Sequence, residues 1–377
     1  MPVRWDIFCK VIDNYGDIGV SWRLARQLAA EHNVDVRLWL DDLAAFCRIC
    51  PQGDPRLKVQ YHCGVAIHHW TVNWLAVDAA DVVIEAFACD LPPNYIVAMT
   101  ESAQPPLWLN LEYLSAEGWV EGCHGLPSLQ GNGLAKYFFF PGFSAKTGGL
   151  LREAGLVQRR QVFQGSPIAK AEFLRGIGVE PLADCRLISL FSYENTRIST
   201  WLDVLAVAQD VSHVLVPEGR VIPDLANYLG EVGLRTGRVY RRGALQIQVL
   251  PFLSQDDYDR LLWACDFNIV RGEDSFVRAQ WAARPFIWHI YPQEDDAHLP
   301  KLEAFLQRYS QGLAADLSAA MTDCWRRWNQ GADCADGWQY LFGASLALTG
   351  HAAVWCAAQE AVENLADSLV QFHQNWL

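Results

Sequence analysis

Short apolar runs alternate with amphipathic segments along most of the chain. The runs are rich in β-branched and aromatic residues and therefore predict strands. They cover residues 5–12, 34–40, 82–87, 106–111, 187–191, 214–217, 267–270 and 286–290. The segments between them, such as residues 21–29, carry apolar residues at helical spacing. Strands separated by helices indicate parallel βαβ units, so the predicted fold class is α/β with two doubly wound halves.

The length of the chain predicts two domains. Its 377 residues exceed one typical core, and domains of roughly 150 to 200 residues are the natural division. Glycines interrupt the periodic pattern between residues 150 and 185, and a new strand begins at residue 187. We therefore assign residues 1–183 to an N-terminal domain and 184–359 to a C-terminal domain. A single long helical pattern covers residues 352–376.

Composition narrows the function classes. The formal net charge of −13 argues against direct binding of nucleic acid, whose protein partners usually present a basic surface. No apolar stretch approaches the roughly 20 residues needed to span a membrane, and the N-terminus begins as a strand rather than as a signal sequence. We therefore expect a cytoplasmic protein that has no membrane partner.

The 11 cysteines are expected to be reduced, buried thiols rather than a disulfide framework. One group needs closer attention, because Cys47, Cys50, Cys63 and His68 have a spacing that superficially matches a zinc finger. However, Cys47 and Cys50 lie on a predicted helix, whereas Cys63 lies in an alternating, strand-like stretch. The pattern therefore favours structural thiols over zinc ligands.

The first candidate site begins at Arg271, directly after the strand predicted at residues 267–270. A glycine turn leads into a helix, whose unpaired N–H groups and positive dipole end can hold an anion. Arg271 offers a fork for phosphate, and Glu273, Asp274 and Ser275 offer acceptors for sugar hydroxyls. The combination indicates a nucleotide-sugar pocket, although Glu273 alone could simply complement the helix dipole.

The second candidate site follows the first predicted strand, where Asp13, Asn14, Tyr15, Gly16 and Asp17 precede an amphipathic helix. In open α/β sheets, ligands bind at this carboxyl edge. The alternative is structural, because Asp and Asn before a helix are ordinary turn and capping residues.

Together the two motifs resemble the elongation factor P arginine rhamnosyltransferase (EarP) family. Residues 87–92, 108–115 and 140–143 are similar to members of that family too, so the resemblance covers essentially the whole chain. It implies a glycosyltransferase B fold, in which two Rossmann-like, doubly wound domains face a cleft. The first domain would bind the acceptor and the second the nucleotide sugar. A C-terminal helix at about 360–377 would cross back to the first domain.

The resemblance implies transfer of L-rhamnose from dTDP-β-L-rhamnose to an arginine of translation elongation factor P, with inversion at the anomeric carbon. A guanidinium is charged and a poor nucleophile, so such an enzyme needs a carboxylate that orients one nitrogen and accepts its proton. By resemblance Asp17 is the general base, and Asp13 and Glu273 support it.

The resemblance also supplies the donor contacts. Phe191, Tyr193, Phe252, Gln255 and Tyr258 are similar to the family's thymidine pocket, and Tyr193, Arg271 and Ser275 would contact the diphosphate. The remaining implied donor contacts are Asn14, Tyr15, Gly16 and Asp274.

We expect no cofactor and no metal. The sequence does contain an Asp-x-Asp triplet at residues 257–259, but the pattern that follows Ser254 is typical of a helix cap with an acidic first turn. Arg271 and a helix N-terminus can replace Mg²⁺ at a diphosphate.

Three other functions are compatible with parts of the sequence. The chain could be a glycosyltransferase that uses another nucleotide sugar or a small-molecule acceptor, or it could bind a nucleotide sugar without catalysis. An NAD-dependent oxidoreductase is disfavoured, because Gly16 to Gly19 lack the first tight glycine of the dinucleotide fingerprint and place Asp17 where pyrophosphate would approach. For an acidic acceptor protein, we expect a basic patch beside the Asp13 to Asp17 loop that includes Arg23 or Arg26.

Overall fold

The computed structural model describes residues 3–12, 15–71 and 77–376. These residues form two compact units. The first unit consists of Met1–Ala154 together with Gln359–Leu377, and the second consists of Gly155–Ala358.

The strands of the first unit are β1 (Arg4–Cys9), β2 (Asp35–Leu40), β3 (Val59–His62), β4 (Val65–His69), β5 (Val82–Ala86), β6 (Leu107–Leu111), β7 (Pro127–Leu129) and β8 (Ala135–Phe139). The strands of the second unit are β9 (Arg186–Leu190), β10 (Ser212–Val216), β11 (Val239–Arg242), β12 (Leu245–Val249), β13 (Phe267–Arg271) and β14 (Phe286–His289).

The helices, in chain order, are α1 (Gly16–His32), α2 (Leu43–Ile49), α3 (Pro93–Glu101), α4 (Val120–Cys123), α5 (Leu156–Gln164), α6 (Pro167–Gly176), α7 (Ile198–Val207), α8 (Ile222–Leu229), α9 (Gln255–Ala264), α10 (Asp274–Trp281), α11 (Leu299–Tyr309), α12 (Ala315–Asn329), α13 (Ala335–Gly343), α14 (Ser345–Glu360) and α15 (Leu365–Trp376). A single 3-10 turn covers Glu294–Asp296.

The sheet of the first unit has the order β3-β4-β2-β1-β5-β6-β8-β7. All neighbouring strands are parallel except the edge pairs β3–β4 and β7–β8. The chain runs outward from β1 through β2 to β4, and then returns to build the other half from β5. The strand order therefore reverses between β1 and β5.

The sheet of the second unit has the order β11-β12-β10-β9-β13-β14, with only β11–β12 antiparallel. Its strand order reverses in the same way, between β9 and β13. The central strands β10, β12 and β13 are buried along their whole length, as expected for parallel strands covered on both faces. The predicted α/β fold with two doubly wound halves is confirmed.

One buried polar cluster fixes the start of the first sheet. Asp6 on β1 is completely buried, and both of its carboxylate oxygens accept hydrogen bonds of 2.6 Å from the guanidinium of Arg37 on β2. The Tyr95 hydroxyl donates to the same carboxylate. A buried charge is tolerated only when it is paired and hydrogen-bonded, so this cluster favours one pairing of β1 with β2.

The strands predicted from apolar runs are all present, although β1 ends at Cys9 rather than at residue 12. The strands that the pattern did not predict form the three antiparallel pairs β3–β4, β7–β8 and β11–β12. Cys63 and Gly64, both at positive φ, join β3 to β4, and Gly243, also at positive φ, lies between β11 and β12. Of these strands β3, β7 and β11 are edge strands of three or four residues, so their sequence signal is weak.

The division into units differs from the predicted boundary at residue 183. Helices α5 and α6 belong to the second unit by their contacts, and both pack against α9. The glycines at 148, 149 and 155 therefore mark the division more closely than those at 165 to 178 do.

The long helix predicted over residues 352–376 is wrong as a single helix, because it breaks between α14 and α15. Asn364 causes the break: its Oδ1 accepts hydrogen bonds of 3.1 Å from the backbone N–H groups of Ala366 and Asp367, which caps α15. Helix α15 then packs on α1 within the first unit.

Among the described residues, no single helix is both long and apolar enough to cross a membrane, and one bent pair of segments in the C-terminal region passes that test only when taken together.

Gly149 provides a test of how the C-terminal segment is held. Its φ is 70°, and a Cβ placed there would lie 1.9 Å from the carbonyl oxygen of Glu363. We expect Gly149→Ala to lower the unfolding temperature and to raise amide exchange in α15, because backbone must move to admit the methyl group. The matched control is Gly133→Ala, whose φ is 87° and whose Cβ would meet no described atom within 4 Å. The control should lose only about 1 kcal/mol from backbone strain, and equal losses in the two variants would contradict this account.

Candidate active site

The carboxyl ends of β1 and β5 form the ligand-binding edge expected for the first unit. They are adjacent and parallel, and the chain leaves them in opposite directions across the sheet. Such a reversal opens a crevice beyond the strand ends. The loops that follow β1, β5 and β6 begin at this edge.

Asp17 lies in the first turn of α1, directly after the loop that leaves β1. It is only 3% exposed. Its Oδ2 accepts a hydrogen bond of 2.9 Å from the backbone N–H of Ile12, and its Oδ1 accepts one of 3.1 Å from the hydroxyl of Tyr113. The carboxylate is therefore fixed by two donors from different loops, and it does not act as the N-cap of its own helix, which is Tyr15.

Two of the residues predicted for this site, Asp13 and Asn14, lie outside the described residues. The other two predicted neighbours of Asp17 can be placed. Tyr15 precedes α1 and its carbonyl accepts the N–H of Gly19 at 2.9 Å, and Gly16 is the first residue of the helix. Both are half-buried beside Asp17 in the chain.

The loops after β5 and β6 contribute an aromatic pair. The rings of Phe87 and Tyr113 stack with centroids 4.5 Å apart and an angle of 19°. Both residues lie in the segments that resemble the family, 87–92 and 108–115, but no role was predicted for either. Their position was predictable, because each lies one or two residues beyond a strand that ends at the carboxyl edge.

The second unit has an equivalent edge at β9 and β13, where Arg271 ends β13. Its guanidinium carbon lies 4.5 Å from the ring centroid of Phe191 and 4.8 Å from that of Tyr193, both of which follow β9. Arg271 is 6% exposed, and its buried Nη1 has no hydrogen-bond partner among the described residues. A buried guanidinium N–H that the protein leaves unpaired is a strong donor for an anionic ligand.

Helix α10 begins three residues after Arg271, following Gly272 at a φ of 63°. Glu273 occupies the N-cap position, but its side chain makes no capping hydrogen bond. Asp274 and Ser275 form the first turn, and Gln255 of α9 approaches Asp274, with its Nε2 3.5 Å from Oδ2. The predicted order of strand, glycine turn and helix N-terminus is confirmed.

The predicted aromatic wall is partly assembled in the second unit. The rings of Phe191 and Tyr258 meet edge to face at 5.7 Å. Tyr258 is buried, which raises the pKa of its hydroxyl and keeps it neutral. Phe252 is half-buried in the loop between β12 and α9.

A buried pair beneath this edge was not predicted from the sequence. The Oγ of Ser192 and the Nδ1 of His289 are 2.7 Å apart, and the ring of Tyr193 packs edge-on against His289 at 5.2 Å. Burial, followed by the nearby charges of Arg271 and His298, lowers the pKa of His289 to about 3. A neutral imidazole therefore supports the residues that hold Arg271.

The acidic residues of α9 have partners within their own unit. The hydroxyl of Ser254 accepts the N–H of Asp257 at 3.1 Å, which confirms the predicted cap. Asp259 forms a buried, two-pronged ion pair with Arg278 of α10. The two carboxylates of the Asp-x-Asp triplet thus serve different helices.

No group of three His, Cys, Asp or Glu side chains that could hold a metal ion occurs within residues 3–12, 15–71 and 77–376. Cys47 lies on α2, Cys50 ends that helix, and Cys63 is exposed in the β3–β4 turn. The zinc-finger spacing in the sequence therefore does not correspond to a cluster of ligands in the described residues.

The prediction that Arg23 contributes to a basic patch is wrong. Arg23 is 1% exposed, and its Nη1 lies 3.5 Å from Oε1 of Glu153. Arg26, one turn later, is half-buried with its guanidinium 5.3 Å from the ring centroid of Trp22. Because α1 packs between the sheet and α15, this face of the helix faces protein rather than solvent.

The fold is shared with solved structures of known glycosyltransferases. A UDP-glucosyltransferase from Polygonum tinctorium matches with a TM-score of 0.55 at 11% identity and covers 100% of this chain and 99% of its own. At that identity the likeness shows the fold alone. Two doubly wound units, each with a strand-order reversal at its centre, are the architecture of the glycosyltransferase B fold.

Comparison of sequences places the chain in one family within this fold. Residues 5–374 match the family model described as Elongation-Factor P (EF-P) rhamnosyltransferase EarP. A protein-arginine rhamnosyltransferase of Pseudomonas putida is 58% identical over 377 residues and covers 100% of both chains. A solved structure, from work on the structural basis for EarP-mediated arginine glycosylation of translation elongation factor EF-P, is 44% identical, with a TM-score of 0.73 over 99% of both chains. The chain belongs to the EarP family and is a transferase, a protein-arginine rhamnosyltransferase.

The neutral state of His289 predicts a pH dependence of stability. Its pKa is about 3 in the folded protein and about 6.5 in an unfolded chain. The unfolded state therefore binds the proton first as pH falls, and the stability that is complete above pH 6.5 is lost progressively toward pH 3. Between pH 6.5 and 5, protonation of this residue in the unfolded state should lower the free energy of unfolding by about 2 kcal/mol. Thermal unfolding of the wild type and His289→Gln across this range should show a smaller pH dependence in the variant, and equal dependence would contradict the prediction.

Proposed function

We propose that this enzyme transfers L-rhamnose from dTDP-β-L-rhamnose to an arginine of translation elongation factor P, with inversion at the anomeric carbon. Membership of the EarP family and the EF-P glycosylation described for its 44% identical relative support the choice of acceptor. Because the acceptor is a translation factor, we propose a cytoplasmic location.

The observation that carries the proposal for the donor is the environment of Arg271. Its guanidinium packs against two aromatic rings, is nearly completely buried, and keeps one N–H unpaired among the described residues. It stands at the end of a strand that leads directly into the N-terminus of α10. A fork of N–H donors beside a helix N-terminus suits a diphosphate.

The remaining donor contacts follow from this placement of the diphosphate. Tyr193 and Ser275 contact the phosphates beside Arg271. Asp274 contacts a sugar hydroxyl, and Gln255, whose Nε2 lies 3.5 Å from Oδ2 of Asp274, belongs to the thymidine pocket. The other residues proposed to contact the donor are Phe191, Phe252 and Tyr258, which bind the thymine, and Asn14, Tyr15 and Gly16, which precede or begin α1.

The proposed general base is Asp17. An arginine guanidinium attacks the anomeric carbon only if one nitrogen is oriented and its proton is accepted as the carbon–nitrogen bond forms. A carboxylate that is buried and fixed by Ile12 and Tyr113 has a defined direction for both tasks. The carbon–oxygen bond to the diphosphate breaks as the nitrogen bonds from the opposite face, so a single displacement inverts the anomeric centre.

Asp13 and Glu273 have supporting roles in this proposal. Asp13 orients the acceptor guanidinium beside Asp17. Glu273 stands at the N-terminus of α10, where its negative charge favours the oxocarbenium character that develops on the sugar ring. We further propose that the reaction needs no metal or cofactor, because Arg271 and the N–H groups of α10 neutralise the leaving diphosphate.

The proposed reaction is tested by intact mass spectrometry of elongation factor P after incubation with the enzyme and dTDP-rhamnose. We expect a gain of one deoxyhexose on an arginine with the wild type and no detectable gain with Asp17→Asn, because the amide cannot accept the proton. The control is Asp210→Asn, which alters an exposed loop and should react like the wild type. Undiminished transfer by Asp17→Asn would contradict its role as base. Binding of the donor without transfer in any form would favour a noncatalytic binding protein.

Calorimetric titration with dTDP tests the donor site separately. We expect Arg271→Lys to weaken binding about 10- to 100-fold, since an ammonium cannot reproduce the planar, stacked fork. Arg326→Lys, at an exposed ion pair with Glu303, is the control and should leave the affinity unchanged. The wild-type affinity should be the same with and without EDTA. A marked loss in EDTA would contradict metal independence, and unchanged affinity in Arg271→Lys would contradict the placement of the diphosphate.

A further inference from the structure

Tyr113 is the residue through which the two family-like loops after β5 and β6 reach Asp17. It lies two residues beyond the end of β6, and its hydroxyl donates to Oδ1 of Asp17 at 3.1 Å. The second carboxylate oxygen is already engaged by the backbone N–H of Ile12 at 2.9 Å. The two bonds together restrict rotation of the carboxylate about its χ2 torsion, which is otherwise broad.

The ring of Tyr113 is itself held in place. It stacks on the ring of Phe87 with centroids 4.5 Å apart. Phe87 is buried, and its backbone N–H donates to the carbonyl of Leu111 at 2.7 Å, so the two loops that carry the rings are also joined through their backbones. The hydroxyl of Tyr113 therefore has little freedom to leave Asp17.

The loop that presents Phe87 is strained. Phe87, Ala88 and Asp90 all have positive φ, at 57°, 53° and 55°. Non-glycine residues in this region of φ are strained and persist only where the surroundings enforce them. Three such residues within four positions are concentrated beside the proposed base.

Buried side chains on the neighbouring strands enforce this conformation. Asn110 on β6 accepts the N–H of Ala88 through its Oδ1 at 3.2 Å, and Glu85 on β5 accepts the N–H of Asp90 at 3.1 Å. Glu85 is anchored in turn, since its other oxygen accepts from the indole N–H of Trp108 and lies 3.2 Å from Nζ of Lys136. This chain of contacts fixes the loop that supports Tyr113.

We propose that Tyr113 is a positioning residue, which orients the carboxylate of Asp17 toward the acceptor nitrogen and is held for this purpose by the ring of Phe87. This inference rests on the proposed role of Asp17 as general base. In this proposal Tyr113 neither transfers a proton nor contacts the sugar. Its substitution should therefore slow the chemical step and leave the binding of substrates unchanged.

The test compares steady-state kinetics of Tyr113→Phe, Phe87→Leu and Asp17→Asn with the wild type, using dTDP-rhamnose and elongation factor P. Loss of the hydroxyl alone should lower kcat about 10- to 100-fold, because a misplacement of about 1 Å in a catalytic group can cost about 100-fold in rate, while KM for the nucleotide sugar stays within threefold. Phe87→Leu keeps the hydroxyl and removes the stack, so kcat should fall less than in Tyr113→Phe, again with KM unchanged. The matched control is Tyr61→Phe, which removes an exposed hydroxyl on β3.

The outcomes separate this inference from the proposed function. If Asp17→Asn is inactive and Tyr113→Phe has wild-type kcat, the positioning role is overturned while the base survives. If Tyr113→Phe instead raises KM with kcat unchanged, it serves binding, and the inference is also overturned. Full activity of Asp17→Asn would overturn the proposed base and the inference together.

Equal unfolding temperatures of Tyr113→Phe and the wild type would show that a loss of kcat does not reflect misfolding. Should Tyr113→Phe fail to fold, an unchanged kcat in Phe87→Leu would overturn the stacking role by itself.

Discussion

The geometry of the site depends on the reversal of strand order at the centre of each parallel sheet. Between β1 and β5, and again between β9 and β13, adjacent strands end side by side while the chain leaves them in opposite directions. Each reversal leaves room beyond the strand ends for side chains that are held by the sheet but not covered by a crossing connection. Asp17 and Arg271 both lie at such points. The same constraint therefore places a carboxylate in one unit and a guanidinium in the other.

Charge burial then decides what each point can do. Asp17 is buried, and its carboxylate accepts hydrogen bonds from the N–H of Ile12 and the hydroxyl of Tyr113, which fix its orientation. Arg271 is buried against the rings of Phe191 and Tyr193 and retains an unpaired N–H among the described residues, which leaves it a strong donor. Neutral His289 lies behind Tyr193 and adds no competing positive charge at physiological pH. A buried carboxylate suits proton acceptance, and a buried guanidinium suits a diphosphate that gains charge as it leaves.

Sequence reasoning predicted the parts of this arrangement that depend on local chemistry. Strands β1 and β13 were recognised from the mainly apolar runs at residues 5–12 and 267–270, and the turn at Gly272 marked the start of α10. The resemblance of the whole chain to the EarP family supplied the reaction. Contacts that depend on tertiary packing were not predictable in this way. Arginine usually lies at the surface, but Arg23 is buried and lies 3.5 Å from Glu153. Tyr113 has its proposed role only because the loop after β6 reaches Asp17. The break before α15 was also missed, since a helix cap by a single Asn was overlooked within a long apolar periodicity.

The central claim is that one carboxylate assists a single displacement at the anomeric carbon. The most direct test is the configuration of the rhamnosyl linkage in the product, determined by NMR of the modified arginine from dTDP-β-L-rhamnose. A single displacement assisted by Asp17 predicts an α linkage. A β linkage would contradict the account, because retention requires a second displacement or attack from the face of the leaving group.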